Sequence, residues 1–226
     1  MDCKSKLEII EKTVSYVKDS LYFESSGHDW WHVYRVWKTA RDISEEYEHI
    51  DSTVVELSAL LHDLADWKEN KDDLGAGCRI AREWLSRFDQ ISDEQIEHVC
   101  GIIGNISFKG DTERNKELSM EGQIVQDADR LDATGAMGIA RTFAYGGKKG
   151  QIMYDPEIPP QSYKNQNDYI SNHDNNTAVN HFYEKLLNLK DLMNTEEGRL
   201  RAVQRHDFML SFLEQFYREF EGKVLD

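Results

Sequence analysis

The sequence predicts an all-α protein, and three observations predict it. Apolar residues recur at helical three- and four-residue spacing along nearly all of the 226 positions. Two of these runs follow a Ser or Thr with Glu or Gln three residues later, the signature of a helix N-terminus. All three prolines fall between positions 156 and 160, so irregular backbone is expected there.

Taken in order, Leu7, Ile10, Val14, Val17 and Leu21 form a first amphipathic helix, and Gly27 ends that region. A second helix is expected from about Asp29 to His49, with Trp30, Val33, Val36 or Trp37, Ala40 and Ile43 facing inward. Thr53-Val54-Val55-Glu56 reads as a capping box opening a third helix. That helix carries Val55, Leu57, Leu60, Leu61 and Leu64, apolar nearly all round, which predicts a central position. Residues 69–73 are turn-like; a helix with Ile80, Trp84 and Leu85 follows. Ser92-Asp93-Glu94-Gln95 caps the next, containing Ile96, Val99, Ile102 and Ile103. After a polar loop at 107–117, helices are expected over 118–131 and 133–144. Residues 145–173, rich in Gly, Asn, Gln and Pro, read as a long loop and possible lid. Two helices, about 175–193 and 195–221, complete the chain; the last carries Leu200, Val203, Met209, Phe212, Leu213, Phe216 and Phe220. Phe208, Phe212, Phe216 and Phe220 have helical spacing and read as packing, as do Trp30, Trp31, Trp37 and Trp84. No repeat or linker interrupts the pattern, so residues 1–226 are expected to form one domain.

Composition narrows the function. Against 27 Lys and Arg stand 42 Asp and Glu, a formal charge of −15, which disfavours a nucleic-acid polymer or an anionic membrane as partner. The three cysteines, Cys3, Cys78 and Cys100, form no CxxC and suggest reduced thiols. No run approaches the length of a transmembrane span, and no apolar signal segment follows Met1, so a cytoplasmic protein is expected.

Three dispersed stretches carry chemistry. His62-Asp63 closes an apolar helix, followed by Asp66 about one turn later. His32 is followed at three residues by Arg35, placing an imidazole and a guanidinium on one helical face. Asp129 and Asp132 are also three apart, and either can face a common ion. Ionisable groups on core-facing helices are costly unless compensated, and a divalent metal compensates them most simply.

These stretches resemble the HD superfamily of metal-dependent phosphohydrolases. The resemblance rests on His32 in His-x-x-Arg-Val, on His62-Asp63, and on Asp129 in Ala-Asp-Arg-Leu, in the family's H…HD…D order. The strings Gly-His-Asp-Trp-Trp-His, Leu-His-Asp-Leu-Ala-Asp-Trp-Lys, Gln-Asp-Ala-Asp-Arg-Leu-Asp-Ala and Arg-Thr-Phe-Ala-Tyr-Gly-Gly are similar to a bacterial subgroup associated with nucleoside-triphosphate pyrophosphohydrolase activity. The resemblance implies a single helical HD-domain fold with His32, His62, Asp63 and Asp129 as metal ligands, Asp129 being preferred to Asp132.

Two imidazoles and two carboxylates suit one divalent transition metal, Mn²⁺ being expected first with Fe²⁺, Co²⁺, Ni²⁺ or Zn²⁺ as alternatives; Mg²⁺ is a further divalent alternative outside that class. Such an ion activates water for attack on phosphorus. Asp66 is the candidate for orienting or deprotonating that water; Arg35 and Lys68 are candidates for offsetting charge on phosphate. Lys109, and Arg141, Tyr145 and Lys148 beside the Gly146-Gly147 pair, are candidate substrate contacts, with Tyr145, Tyr154 or Tyr163 available to stack on a base. His28 and Asp29 either line the site or cap the second helix; His98 is either core or a second-metal ligand, and one metal is expected. The expected reaction converts a nucleoside triphosphate to monophosphate and pyrophosphate. The alternatives are a nucleotide phosphomonoesterase or phosphodiesterase at the same centre, and a non-catalytic nucleotide- or metal-sensing module. Alarmone hydrolysis is disfavoured because Trp67 follows Asp66 where that class carries a second acid. Oligomeric state is not legible in the sequence.

Overall fold

The computed structural model describes residues 3–23, 28–64, 75–106, 118–161 and 176–223; helices predominate and no strand occurs among the described residues. The fold is all-α, as the spacing predicts. The chain divides into two compact units, Met1–Asp129 and Arg130–Asp226. No helix among the described residues is long and apolar enough to cross a membrane.

The first unit holds α1 (Cys3–Leu21), α2 (Trp30–Ser44), α3 (Ser52–Leu61), α4 (Ala76–Leu85), α5 (Asp93–Ile106) and most of α6 (Met120–Asp132). α3 packs against α1, α2 and α5, and every residue from Thr53 to Leu61 is buried. Burial of Val54, Val55, Leu57, Leu60 and Leu61 contributes roughly 1.5–3 kcal/mol each, before entropy is counted.

The start of α3 differs from the capping box expected at Thr53. The cap is Asp51, whose Oδ1 accepts from the backbone N–H of Thr53 at 2.9 Å and of Val54 at 3.3 Å. Its Oδ2 accepts from Gln95 Nε2 of α5 at 2.7 Å. Glu56 turns into the core instead, with Lys6 Nζ 2.9 Å from Oε1 and Trp37 Nε1 donating to Oε2 at 2.9 Å. A buried carboxylate with both oxygens engaged is tolerable where a lone one is not. Burial raises the Asp51 carboxyl, but Gln95 and the Val54 and Thr53 N–H groups outweigh it and hold it below its ordinary value. Asp51→Ala is therefore expected to cost about 2 kcal/mol in urea unfolding at neutral pH. Because the folded-state pKa is depressed, this stabilisation is present above the unfolded carboxyl's pKa. It is lost as pH falls through the lower folded value, so the two proteins should converge in acid.

The inward stripe of α1 is Ile9, Ile10, Thr13, Val17 and Leu21, whereas Leu7 is exposed and Val14 only half-buried. Thr13 takes its buried place by accepting from Trp84 Nε1 at 3.0 Å while donating to Ile9 O, and Trp84 stacks on Tyr16. α2 ends at Ser44, earlier than expected, and its Trp31 faces solvent rather than the core. The Ser92–Gln95 box at α5 forms reciprocally, Ser92 N donating to Gln95 Oε1 and Gln95 N to Ser92 Oγ.

The second unit holds α7 (Gly135–Lys149), a short α8 (Asn180–Glu184), a 3₁₀ segment (Leu186–Leu192) and α9 (Glu196–Phe220). α7 is longer than expected: Tyr145 to Lys149 are helical, and the irregular segment begins at Gly150, whose φ of +68° closes the helix. Gly146 is buried, where a Cβ would meet Gln151 and Ala178, whereas Gly147 faces open space. The single helix expected over 175–193 is broken at Lys185, with φ −137° and ψ −59°, before the 3₁₀ segment. The remainder of the expected loop, 162–173, lies outside the described residues. A tight entry to α7 requires glycine at 138, where a Cβ would stand 2.3 Å from the Ala133 carbonyl oxygen.

α9 buries Ala202, Met209 and Leu213 and exposes Leu200, Val203, Phe208 and Phe220. Its inward stripe is thus narrower than the sequence implies. Phe212 and Phe216 join Phe143 and Phe182 in an aromatic cluster with neighbouring ring centroids 5.9–6.4 Å apart.

Candidate metal centre

The centre is assembled in the first unit from the beginning of α2, the end of α3 and the C-terminal part of α6. Asp29 caps α2 by accepting from the backbone N–H of His32 at 2.9 Å, resolving its role as a cap. The cap fixes the first turn that carries His32 inward. His62 is the C-cap of α3, and Asp63 lies in the turn beyond it. At a helix end the last carbonyls lack intrahelical donors. His62 Nδ1 meets one of them, Ala59 O, at 2.9 Å. A carbonyl only accepts, so Nδ1 carries the proton and Nε2 presents a lone pair.

That lone pair enters a cluster of four groups. His32 Nε2 is 3.1 Å from Asp63 Oδ2 and 3.4 Å from Asp129 Oδ1; His62 Nε2 is 3.4 Å and 4.0 Å from the same atoms. Side-chain exposure rises from 2% at His32 and 3% at His62 to 15% at Asp63 and 34% at Asp129, so the cluster opens towards solvent on the Asp129 side. Burial raises the Asp63 carboxyl, but electrostatic attraction to the adjoining His62 imidazole and hydrogen bonding with His28 and His32 outweigh it and hold it well below the ordinary carboxylate range. Asp63 is therefore an anion at neutral pH.

These residues fit a metal ion. His62 Nε2 is buried and takes no hydrogen bond among the described residues, despite two carboxylate oxygens within 4.0 Å. Donors around one six-coordinate ion with bonds of about 2.1 Å lie roughly 3.0 Å apart when adjacent and 4.2 Å when opposite. The observed separations of 3.1 to 4.0 Å fall within that range. His32, His62 and Asp129 form one group able to hold a cation, and His28, His32 and Asp63 form a second that shares His32.

The other candidates divide. Asp132 pairs with Arg141 rather than competing with Asp129 for the cluster, and this ion pair engages the guanidinium proposed for substrate. Arg35 is half-buried on α2. Tyr145 and Lys148 are exposed on α7, in the second unit. Asp66, Lys68, Lys109 and Tyr163 lie outside the described residues. His98 meets Ser119 Oγ at 2.7 Å and lies 3.7 Å from Glu121, and it joins neither cation-holding group. His28, which the sequence leaves between capping and the site, belongs to the site: Nδ1 is 2.7 Å from Asp63 Oδ2. The available signal was its i, i+4 relation to His32.

Residues 30–134 match the HD domain family, a span containing all four clustered donors. The chain is 40% identical over 218 residues, 96% of each protein, to the uncharacterized protein YpgQ of Bacillus subtilis (strain 168). It is similar to the crystal structure of an HD-superfamily hydrolase from Bacillus thuringiensis, with a TM-score of 0.75 and 45% identity over 96% of this chain and 100% of that one. The crystal structure of Bacillus subtilis YpgQ in complex with ADP gives a TM-score of 0.72 and 35% identity, covering 95% of this chain and 96% of that one. On the family match and the extent of these likenesses, the chain belongs to the HD superfamily of metal-dependent phosphohydrolases.

Proposed function

We propose that this protein hydrolyses a nucleoside triphosphate to the monophosphate and pyrophosphate, using one divalent transition metal, Mn²⁺ first among the candidates. The observation that carries the reading is the convergence of His32, His62, Asp63 and Asp129 at one solvent-facing point. A nucleotide substrate is supported by the relative YpgQ, whose crystal structure contains ADP.

His32, His62, Asp63 and Asp129 would hold the ion. When bound, it lowers the pKa of a water molecule and polarises a phosphoryl oxygen. Ala59 O keeps the His62 proton on Nδ1, so Nε2 stays available as a donor to the metal. Asp63 stays ionised and supplies negative charge against the cation. The burial of both imidazoles excludes water from one side of the cluster, while the more exposed Asp129 leaves an approach for phosphate. Arg35, three residues after His32, is assigned to phosphate charge.

The test incubates purified protein and Mn²⁺ with a panel of nucleotides and measures pyrophosphate and orthophosphate separately. Pyrophosphate in step with monophosphate is expected. Orthophosphate alone would replace this reading with a phosphatase. Nucleotide binding without turnover under any of the six metals would replace it with a sensor.

A further inference from the structure

We infer that His28 is a positioning residue for the metal centre, acting through Asp63 by an Nδ1–H···Oδ2 hydrogen bond. The inference rests on the metal reading above and extends it to an imidazole beyond the four proposed ligands. Three imidazoles surround the same carboxylate oxygen: His28 Nδ1 at 2.7 Å, His32 Nε2 at 3.1 Å and His62 Nε2 at 3.4 Å. Only His32 and His62 also reach Asp129 among the described residues. An imidazole nitrogen bound to a metal carries no proton there. His32 and His62 therefore cannot donate to Asp63 while they hold an ion through Nε2. His28 can, because its contact has hydrogen-bond length and uses Nδ1.

The backbone supports the same assignment. His28 immediately precedes the Asp29 cap, and that cap accepts from the N–H of His32. One turn entry thus sets both imidazoles, whose rings meet edge-on with centroids 5.5 Å apart. The His28 side chain is 26% exposed, against 2% for His32, so it flanks Asp63 from the wetter side. A donor there fixes the carboxylate's rotation and leaves its remaining lone pairs directed at the cluster, the arrangement by which outer partners raise metal affinity.

The test measures Co²⁺ affinity of the full chain by competition with a chelating dye, and the Co²⁺ d–d absorption at saturation. His28→Ala is expected to weaken affinity about 10–100-fold, while His28→Asn, whose amide N–H₂ replaces Nδ1–H, should return it to within about threefold of the original. The d–d band should keep its position in both variants, because the ligand set is unchanged. Unaltered affinity in His28→Ala overturns the inference. A displaced d–d band at saturation also overturns it, making His28 a direct ligand. If the unsubstituted chain binds no Co²⁺, Mn²⁺ or Zn²⁺, the metal reading itself fails. Binding by that chain with no response to His28 substitution removes only the positioning role.

Discussion

Asp63→Ala is expected to abolish measurable phosphohydrolase activity while leaving the helical signal intact. The carboxylate lies within 3.4 Å of three imidazoles and, among the described residues, is the anion nearest both buried Nε2 atoms. Its removal leaves one carboxylate among the four proposed donors and less negative charge against a divalent ion. The loss in turnover should exceed the roughly 10–100-fold that removal of an outer partner costs. The fold should survive because Asp63 lies beyond the end of α3 and caps no helix. Neutral imidazoles can remain buried without it, whereas a carboxylate retained without imidazole partners would be costly. Far-ultraviolet circular dichroism and nucleotide turnover, measured on one preparation, check both halves. Full turnover in the variant would exclude Asp63 from the centre.

Phe182→Ala should be the most damaging single truncation in the second unit, costing about 4 kcal/mol. The side chain is fully buried, and its ring lies 6.0 Å from those of Phe143 and Phe212, which belong to different helices. Deletion removes both the transferred apolar area and the aromatic contacts, and the flanking rings cannot close the space without leaving their rotamers. For a chain of this size the melting midpoint should fall by about 10 °C. Phe208→Ala supplies the contrast: it shares the helical spacing of the phenylalanines on α9 but is exposed, and should change stability by less than about 0.5 kcal/mol. Equal losses in the two variants, by scanning calorimetry, would contradict this account of the cluster.

Particular residues show how far the sequence reaches. α3 was legible because nearly every side chain between Val54 and Leu61 is apolar, and only a central helix buries such a surface. Its cap was not: Asp51 and Thr53 are both good capping types, and the choice depended on Gln95, distant in sequence but adjacent in space. The end of α7 was misplaced because Gly146 and Gly147 each cost a helix about 1 kcal/mol by propensity, yet the helix runs through both, with Gly146 buried, to the left-handed Gly150. Phe208 and Phe212 cannot be ranked by period alone, since the width of a buried stripe is set by neighbouring helices.

At the centre, the four proposed donors stand out by residue type and order; spacing alone leaves Asp129 and Asp132 both open, the resemblance prefers Asp129, and the pairing of Asp132 with Arg141 agrees with that preference. His28 was ambiguous for a related reason. A residue beside a helix cap has a sufficient local explanation, and its approach to Asp63 is made across 35 positions of sequence.

We propose that His32, His62, Asp63 and Asp129 together hold one catalytic ion. The most direct test is the number of divalent ions bound per chain, measured by calorimetric titration of chelator-treated protein with Mn²⁺ and repeated on Asp63→Ala. One ion per chain is expected in the unsubstituted protein and none in the variant at the same concentrations. Equal binding by the two proteins, or no binding by either, would contradict it.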